Sequence, residues 1–154
     1  MKNLFALLVV FFTGIMGVFA QSYTLTPNPY TGSSSIYGSN GITGYTYNNP
    51  YSGSSTTTWN NGITDTTIYN PYTGSSTTYG TDGYSSNTYR NPYTGSSTTT
   101  TNNGTTYNTY RNPYTGTSQT YGSDGSSATT YRNPYTGSSS IFITPPWYWS
   151  ISLW

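Results

Sequence analysis

An all-β fold built from repeats is what this sequence predicts, and three observations carry the prediction. The triplet Asn-Pro-Tyr begins at Asn28, Asn49, Asn70, Asn91, Asn112 and Asn133, in equal 21-residue steps with no insertion or deletion. A second landmark follows the first five triplets at a constant offset: Asn40-Gly41, Asn61-Gly62, Asp82-Gly83, Asn103-Gly104 and Asp124-Gly125. Between these punctuations run segments of about six residues rich in Thr and Tyr, such as "SSTTYG" and "YSSNTYR", and both residue types favour strands.

Each punctuation is a turn for its own reason. In Asn-Pro-Tyr-Thr-Gly the proline holds φ at about −65° for a turn position and the glycine can enter the left-handed region. Asn-Gly and Asp-Gly tolerate the positive φ of tight hairpins. Each unit therefore reads turn, strand, turn, strand. The density of Gly, Pro and Ser and the lack of a 3.6-residue apolar rhythm exclude helix. A longer rhythm overlies the unit. Tyr37, Tyr79 and Tyr121 precede the turn in units one, three and five, where units two and four carry Thr58 and Thr100, so the period can also be read as 42.

The expected architecture is an elongated array over residues 28–140, five complete β-hairpin units and an incomplete sixth, as a meander or a solenoid. Asn-Gly turns favour the meander, with neighbour contacts carrying the stability and the ends needing caps. Between Asn70 and Arg132 there is no Ile, Leu, Val, Phe, Met or Trp, only ten tyrosines and Ala128 as candidates for burial. Ordering costs about 1.5 kcal/mol per residue against about 25 cal/mol per Å² buried, so an aliphatic sandwich is excluded. Tyr columns and Thr ladders are expected in its place. The alternative is a largely disordered low-complexity chain.

The flanks are different material. Residues 1–20 read as a signal peptide: Lys2, then an apolar run from Leu4 to Ala20, with Val18-Phe19-Ala20 as a cleavage site. That predicts export, with cleavage after Ala20 and a secreted or cell-surface protein. Residues 21–27 form a short leader. Residues 141–154 hold three of the four tryptophans and read as an aromatic cap on the array, an anchor to a membrane interface or partner, or a truncation of the reading frame.

Composition narrows the function. Charged residues are 5% of the chain, with no Cys, His or Glu. Without those side chains there is no imidazole or thiolate metal site and no base to activate a serine, so no catalytic, cofactor-binding or metal residues are expected. Asp82 and Asp124 are read as turn formers. Three arginines, one to a unit, make no basic track for nucleic acid or anionic lipid. Asn103-Gly104-Thr105 is a lone glycosylation sequon.

Two sets of residues remain as a candidate interaction surface. Tyr30, Tyr51, Tyr72, Tyr93, Tyr114 and Tyr135 recur after the turn proline, either shielding the turn or forming a row of aromatic platforms. Arg90, Arg111 and Arg132 close their units, as solvated charges or as cations beside rings. The reading is an exported, non-enzymatic repeat protein with a structural, adhesive or matrix role. Its partners would be copies of itself or a cell-surface polymer, and a glycan- or cell-wall-binding module is the alternative.

The spacing Tyr-x-x-(Asn/Asp)-Gly resembles the YD repeats of bacterial surface and toxin-shell proteins, with Gly38, Gly80 and Gly122 where an Asp would follow the Tyr. In unit length and hairpin content the chain is also similar to the choline-binding repeats of cell-wall proteins, although it lacks their Gly-Trp and Trp-Tyr-Tyr pairs. Neither resemblance transfers a functional residue.

Overall fold

Two turn designs alternate along the chain. In each Asn-Pro-Tyr turn the Asn Oδ1 accepts the N–H groups of the Tyr and of the Thr or Ser that follow, as Asn70 does from Tyr72 at 2.9 Å and Thr73 at 3.3 Å, and Asn49 from Ser52 at 3.3 Å. The turn glycine then takes a positive φ, as at Gly74 (φ 68) and Gly95 (φ 70), where a Cβ would be strained. In each Asn/Asp-Gly turn the side-chain oxygen accepts an N–H two residues on, Ser126 to Asp124 at 2.9 Å for example. Asp82 and Asp124 both serve as such acceptors.

The computed structural model describes residues 21–146, which form twelve antiparallel strands. They are β1 (Gln21–Pro27), β2 (Ser34–Gly38), β3 (Thr43–Asn48), β4 (Ser55–Trp59), β5 (Thr64–Asn70), β6 (Ser75–Gly80), β7 (Ser85–Arg90), β8 (Ser97–Thr101), β9 (Thr106–Arg111), β10 (Ser118–Gly122), β11 (Ser127–Arg132) and β12 (Ser139–Thr144). No helix occurs among the described residues. Consecutive strands pair as in the expected meander, so these residues are ordered hairpins and not a largely disordered chain.

The elongated array, meander or solenoid, is corrected by a closure. β1 pairs with β12, Gln21 opposite Ile143 and Leu25 opposite Ser139, and the sheet becomes a closed barrel. The physical reason lies in the register. Thr57 faces Thr46 across one hairpin and Asp65 across the next, so the strands step along the axis and tilt, as a barrel requires. Closure satisfies the N–H and C=O groups that an open array leaves on its two edges, and removes the need for caps. Residues 21–27, read as a leader, are a barrel strand, and the 140/141 boundary falls inside β12. The signal peptide reading at 1–20 lies outside the described residues, as do residues 147–154 of the tail.

Inward-facing residues stack in three layers. The floor, at the Asn/Asp-Gly end, pairs large with small: Tyr23 with Gly38, Trp59 with Gly44, Tyr107 with Gly122 and Ile143 with Ala128. The glycines are obligatory. A Cβ on Gly44 would stand 2.7 Å from Trp59 Cε3, and one on Gly38 2.7 Å from Tyr23 Cε1. The 42-residue rhythm is therefore structural, since the Gly after Tyr in units one, three and five makes room for a neighbouring floor side chain.

The middle layer is a threonine ladder. Oγ1 atoms of Thr46 and Thr57, Thr67 and Thr78, Thr88 and Thr99, and Thr109 and Thr120 meet at 2.8–2.9 Å. At the seam Leu25 pairs with Ile36 and Thr130 with Ile141, giving an apolar cluster of Tyr23, Ile36 and Trp59 backed by Ile141 and Ile143. Among the described residues no buried side-chain N or O lacks a hydrogen bond.

This corrects the expected tyrosine core. Tyr79, Tyr89, Tyr110, Tyr121 and Tyr131 point outward and are 51–59% exposed. Apart from the floor rings of Tyr23 and Tyr107, the interior is filled by the expected threonine ladders, because a hydroxyl that finds a partner hydroxyl loses little by leaving water. Outside, the rings cover the sheet, with Tyr110 against Tyr121 at 6.4 Å and Tyr131 edge-on to Phe142 at 6.0 Å between centroids.

Candidate functional site

The third inner layer forms the mouth, at the Asn-Pro-Tyr end. Odd strands run toward this rim and place Pro27, Asn48, Tyr69, Arg90, Arg111 and Arg132 at or beside their ends. Each faces a serine where the next strand leaves the rim, so Arg90 pairs with Ser97, Arg111 with Ser118 and Arg132 with Ser139. The three arginines are dispersed in sequence but come together on one arc, on β7, β9 and β11. With Tyr69, Ser34 and Ser76 they line a cup of about 170 Å³ whose base is the threonine ladder.

Around this cup stand the six turn tyrosines. Tyr30, Tyr51, Tyr72, Tyr93, Tyr114 and Tyr135 are 95–98% exposed, so they do not shield the turns. The turn itself explains their position: the Asn side chain closes it from within, leaving the ring on the outer corner. The barrel thus gathers the tyrosine and arginine sets at one end, as a crown around a cationic mouth. Polypeptide closure makes a ring of what the sequence presents as two rows.

The opposite end carries all three carboxylates. Asp82 and Asp124 sit in turns, and Asp65 is buried in the floor, 5% exposed, accepting the Trp59 Nε1–H at 2.7 Å. Burial pushes the Asp65 carboxyl above the ordinary aspartate range, which the Trp59 hydrogen bond partly offsets and the charge of Asp82 reinforces. Desolvation likewise raises the phenols of Tyr84 and Tyr23. Tyr107, buried and donating to Asp124 Oδ2 at 3.3 Å, is held protonated well above the usual phenol range.

Sequence reasoning did not single out Trp59, Asp65 or Gly44, and gave Gly38, Gly80 and Gly122 no packing role. The signal was present as a large residue and a glycine fifteen positions apart, at Tyr23 and Gly38, Gly44 and Trp59, and Tyr107 and Gly122. No group of three or more metal-ligating side chains occurs among the described residues. Comparison with protein-family models, curated proteins and solved structures returns no match for this chain.

Proposed function

We propose that the protein is an exported, non-enzymatic binding module that grips a polysaccharide or similar cell-surface polymer with its tyrosine crown. The observation that carries this reading is the near-complete exposure of six equivalent rings on one rim. A phenol ring held in water with no packing role costs solubility and contributes nothing to the fold, so its recurrence six times points to a surface that it meets. Flat aromatic faces stack on the apolar C–H faces of pyranose rings, and the hydroxyl reaches sugar hydroxyls. Six weak contacts on a rigid ring add through avidity.

Geometry also favours a discrete binder over an edge-to-edge fibre. A closed barrel offers no free strand edge for cross-β growth. Its strands of five to seven residues are shorter than the roughly 9–11 that a membrane-crossing strand takes. Their outward positions include Asn87, Asn108 and Gln119.

The test is retention of the exported chain on insoluble polysaccharides, comparing wild type with Tyr72→Ala/Tyr93→Ala/Tyr114→Ala. The variant should lose retention while keeping the wild-type far-UV circular dichroism. Equal retention of both would end the proposal. A second reading, a structural protein packing side by side, is favoured by the half-exposed ring belt of Tyr79, Tyr89, Tyr110 and Tyr131. Concentration-dependent sedimentation that survives crown replacement would support it.

A further inference from the structure

We infer that the arginine–serine mouth is a pocket for an oxyanion, a carboxylate or sulfate, carried on a sugar residue of the bound polymer. The inference rests on the glycan reading for the identity of the ligand, but on separate residues for its chemistry.

Charge is sorted along the barrel axis. Arg90, Arg111 and Arg132 end β7, β9 and β11 at the mouth, whereas Asp65 lies near the start of β5 at the floor and Asp82 and Asp124 lie in the turns beyond it. Floor and mouth are four positions apart along a strand, as Asp65 is from Tyr69, or roughly 13 Å. No aspartate is therefore within ion-pairing reach of the mouth arginines, and the two signs of charge stay at opposite ends of the barrel. Arg90 faces Ser97, and Ser97 faces Thr109, two residues short of Arg111, so two strand spacings and this stagger put the two arginines roughly 12 Å apart. An oxyanion between Arg90 and Arg111 would lie at about half that distance from each. Each attraction is then about twice the repulsion between the two cations, and there are two attractions against one repulsion.

The surroundings suit the same guest. Ser97 and Ser118 stand directly opposite the two arginines and supply hydroxyl donors. A guanidinium fork matches the two oxygens of a carboxylate or sulfate. The cup of about 170 Å³ suits a substituent with part of its sugar ring, not a folded partner. Tyr93 and Tyr114 follow Arg90 and Arg111 in the turns that leave β7 and β9, so a chain stacked on the crown would carry its acidic group over the mouth.

The experiment pairs acidic polymers with their neutral forms. The exported chain is tested on polygalacturonate and its methyl ester, and on dextran sulfate and dextran. The probe for the pocket alone is free galacturonate, followed through the arginine Nε–H NMR signals. Wild type should bind the acidic member of a pair at least roughly tenfold more tightly, as expected for charge-assisted hydrogen bonds, and Arg90→Gln/Arg111→Gln should abolish that excess with unchanged circular dichroism. Preference within the first pair alone assigns a carboxylate, and within the second alone a sulfate. Equal binding within both pairs, or an excess that survives the double variant, overturns the pocket. Shifts at Arg90 and Arg111 with galacturonate, when no polymer is retained, would uphold the pocket and sink the crown.

Discussion

Trp59 donates its indole N–H to Asp65 Oδ2 across 2.7 Å, and the two side chains are only 4% and 5% exposed. A carboxylate is therefore buried in the floor with one strong donor, beside Tyr84 and within reach of the Asp82 charge. Its proton is held more tightly in the folded chain than in the unfolded one. The stability that proton contributes is fully present below the ordinary aspartate value of 3.8 and is lost as pH rises through the raised folded value. Thermal melts of the wild type should therefore show falling stability across that window, once the other groups are accounted for. Asp65→Asn keeps an acceptor for the indole and should flatten this part of the profile. A wild-type slope retained in Asp65→Asn would refute the assignment.

The same floor resists any added volume. Gly44→Ala forces a methyl group to within 2.7 Å of the Trp59 ring, and overpacking of this kind costs about 1–3 kcal/mol. Gly62, at φ 86 with open space where its Cβ would lie, tests backbone strain alone. Gly62→Ala should cost about 1 kcal/mol. Denaturant midpoints for the two variants separate the effects, and Trp59→Leu should rescue Gly44→Ala but not Gly62→Ala.

Threonine pairing in the middle layer predicts a non-additive pair. Thr67→Val alone leaves the Thr78 hydroxyl buried without its partner 2.9 Å away, at a cost of about 1–3 kcal/mol. Thr67→Val/Thr78→Val removes both polar groups and fills the same space with methyls, so it should be close to wild type. A double-mutant cycle by urea denaturation measures the coupling. Additive losses would show that the ladder is not held by paired hydroxyls.

Crown tyrosines should be energetically silent in the fold. Each of Tyr72, Tyr93 and Tyr114 is more than nine-tenths exposed, and a surface substitution away from packing contacts stays within about 0.5 kcal/mol. Unfolding midpoints of the single alanine variants should coincide with wild type. A loss of about 2 kcal/mol at any of them, within the range of a packed side chain, would mean that the ring packs on its turn.

The hairpins were legible because their causes are local: Asn70 turns its own next three residues, and Gly74 takes the φ its turn requires. The regular spacing and the strands follow from that. Closure was not legible, since the contact of Gln21 with Ile143 depends on tilt accumulated over ten intervening strands. The facing of each strand was equally hidden. Thr78 and Tyr79 are adjacent β-formers, and no hydropathy contrast says which belongs inside when the interior is itself polar. The arginine positions were visible, but their convergence required knowing that Arg90, Arg111 and Arg132 share an inward register.

Because β1 returns to β12, copy number here governs girth. In an open chain of repeats, duplicating one unit lengthens the molecule and leaves every existing contact alone. In this ring the same duplication inserts two staves, widens the bore and redraws the spacing of everything facing inward, since diameter grows with strand number. Evolutionary slippage in such a gene would retune the aperture in whole-unit steps.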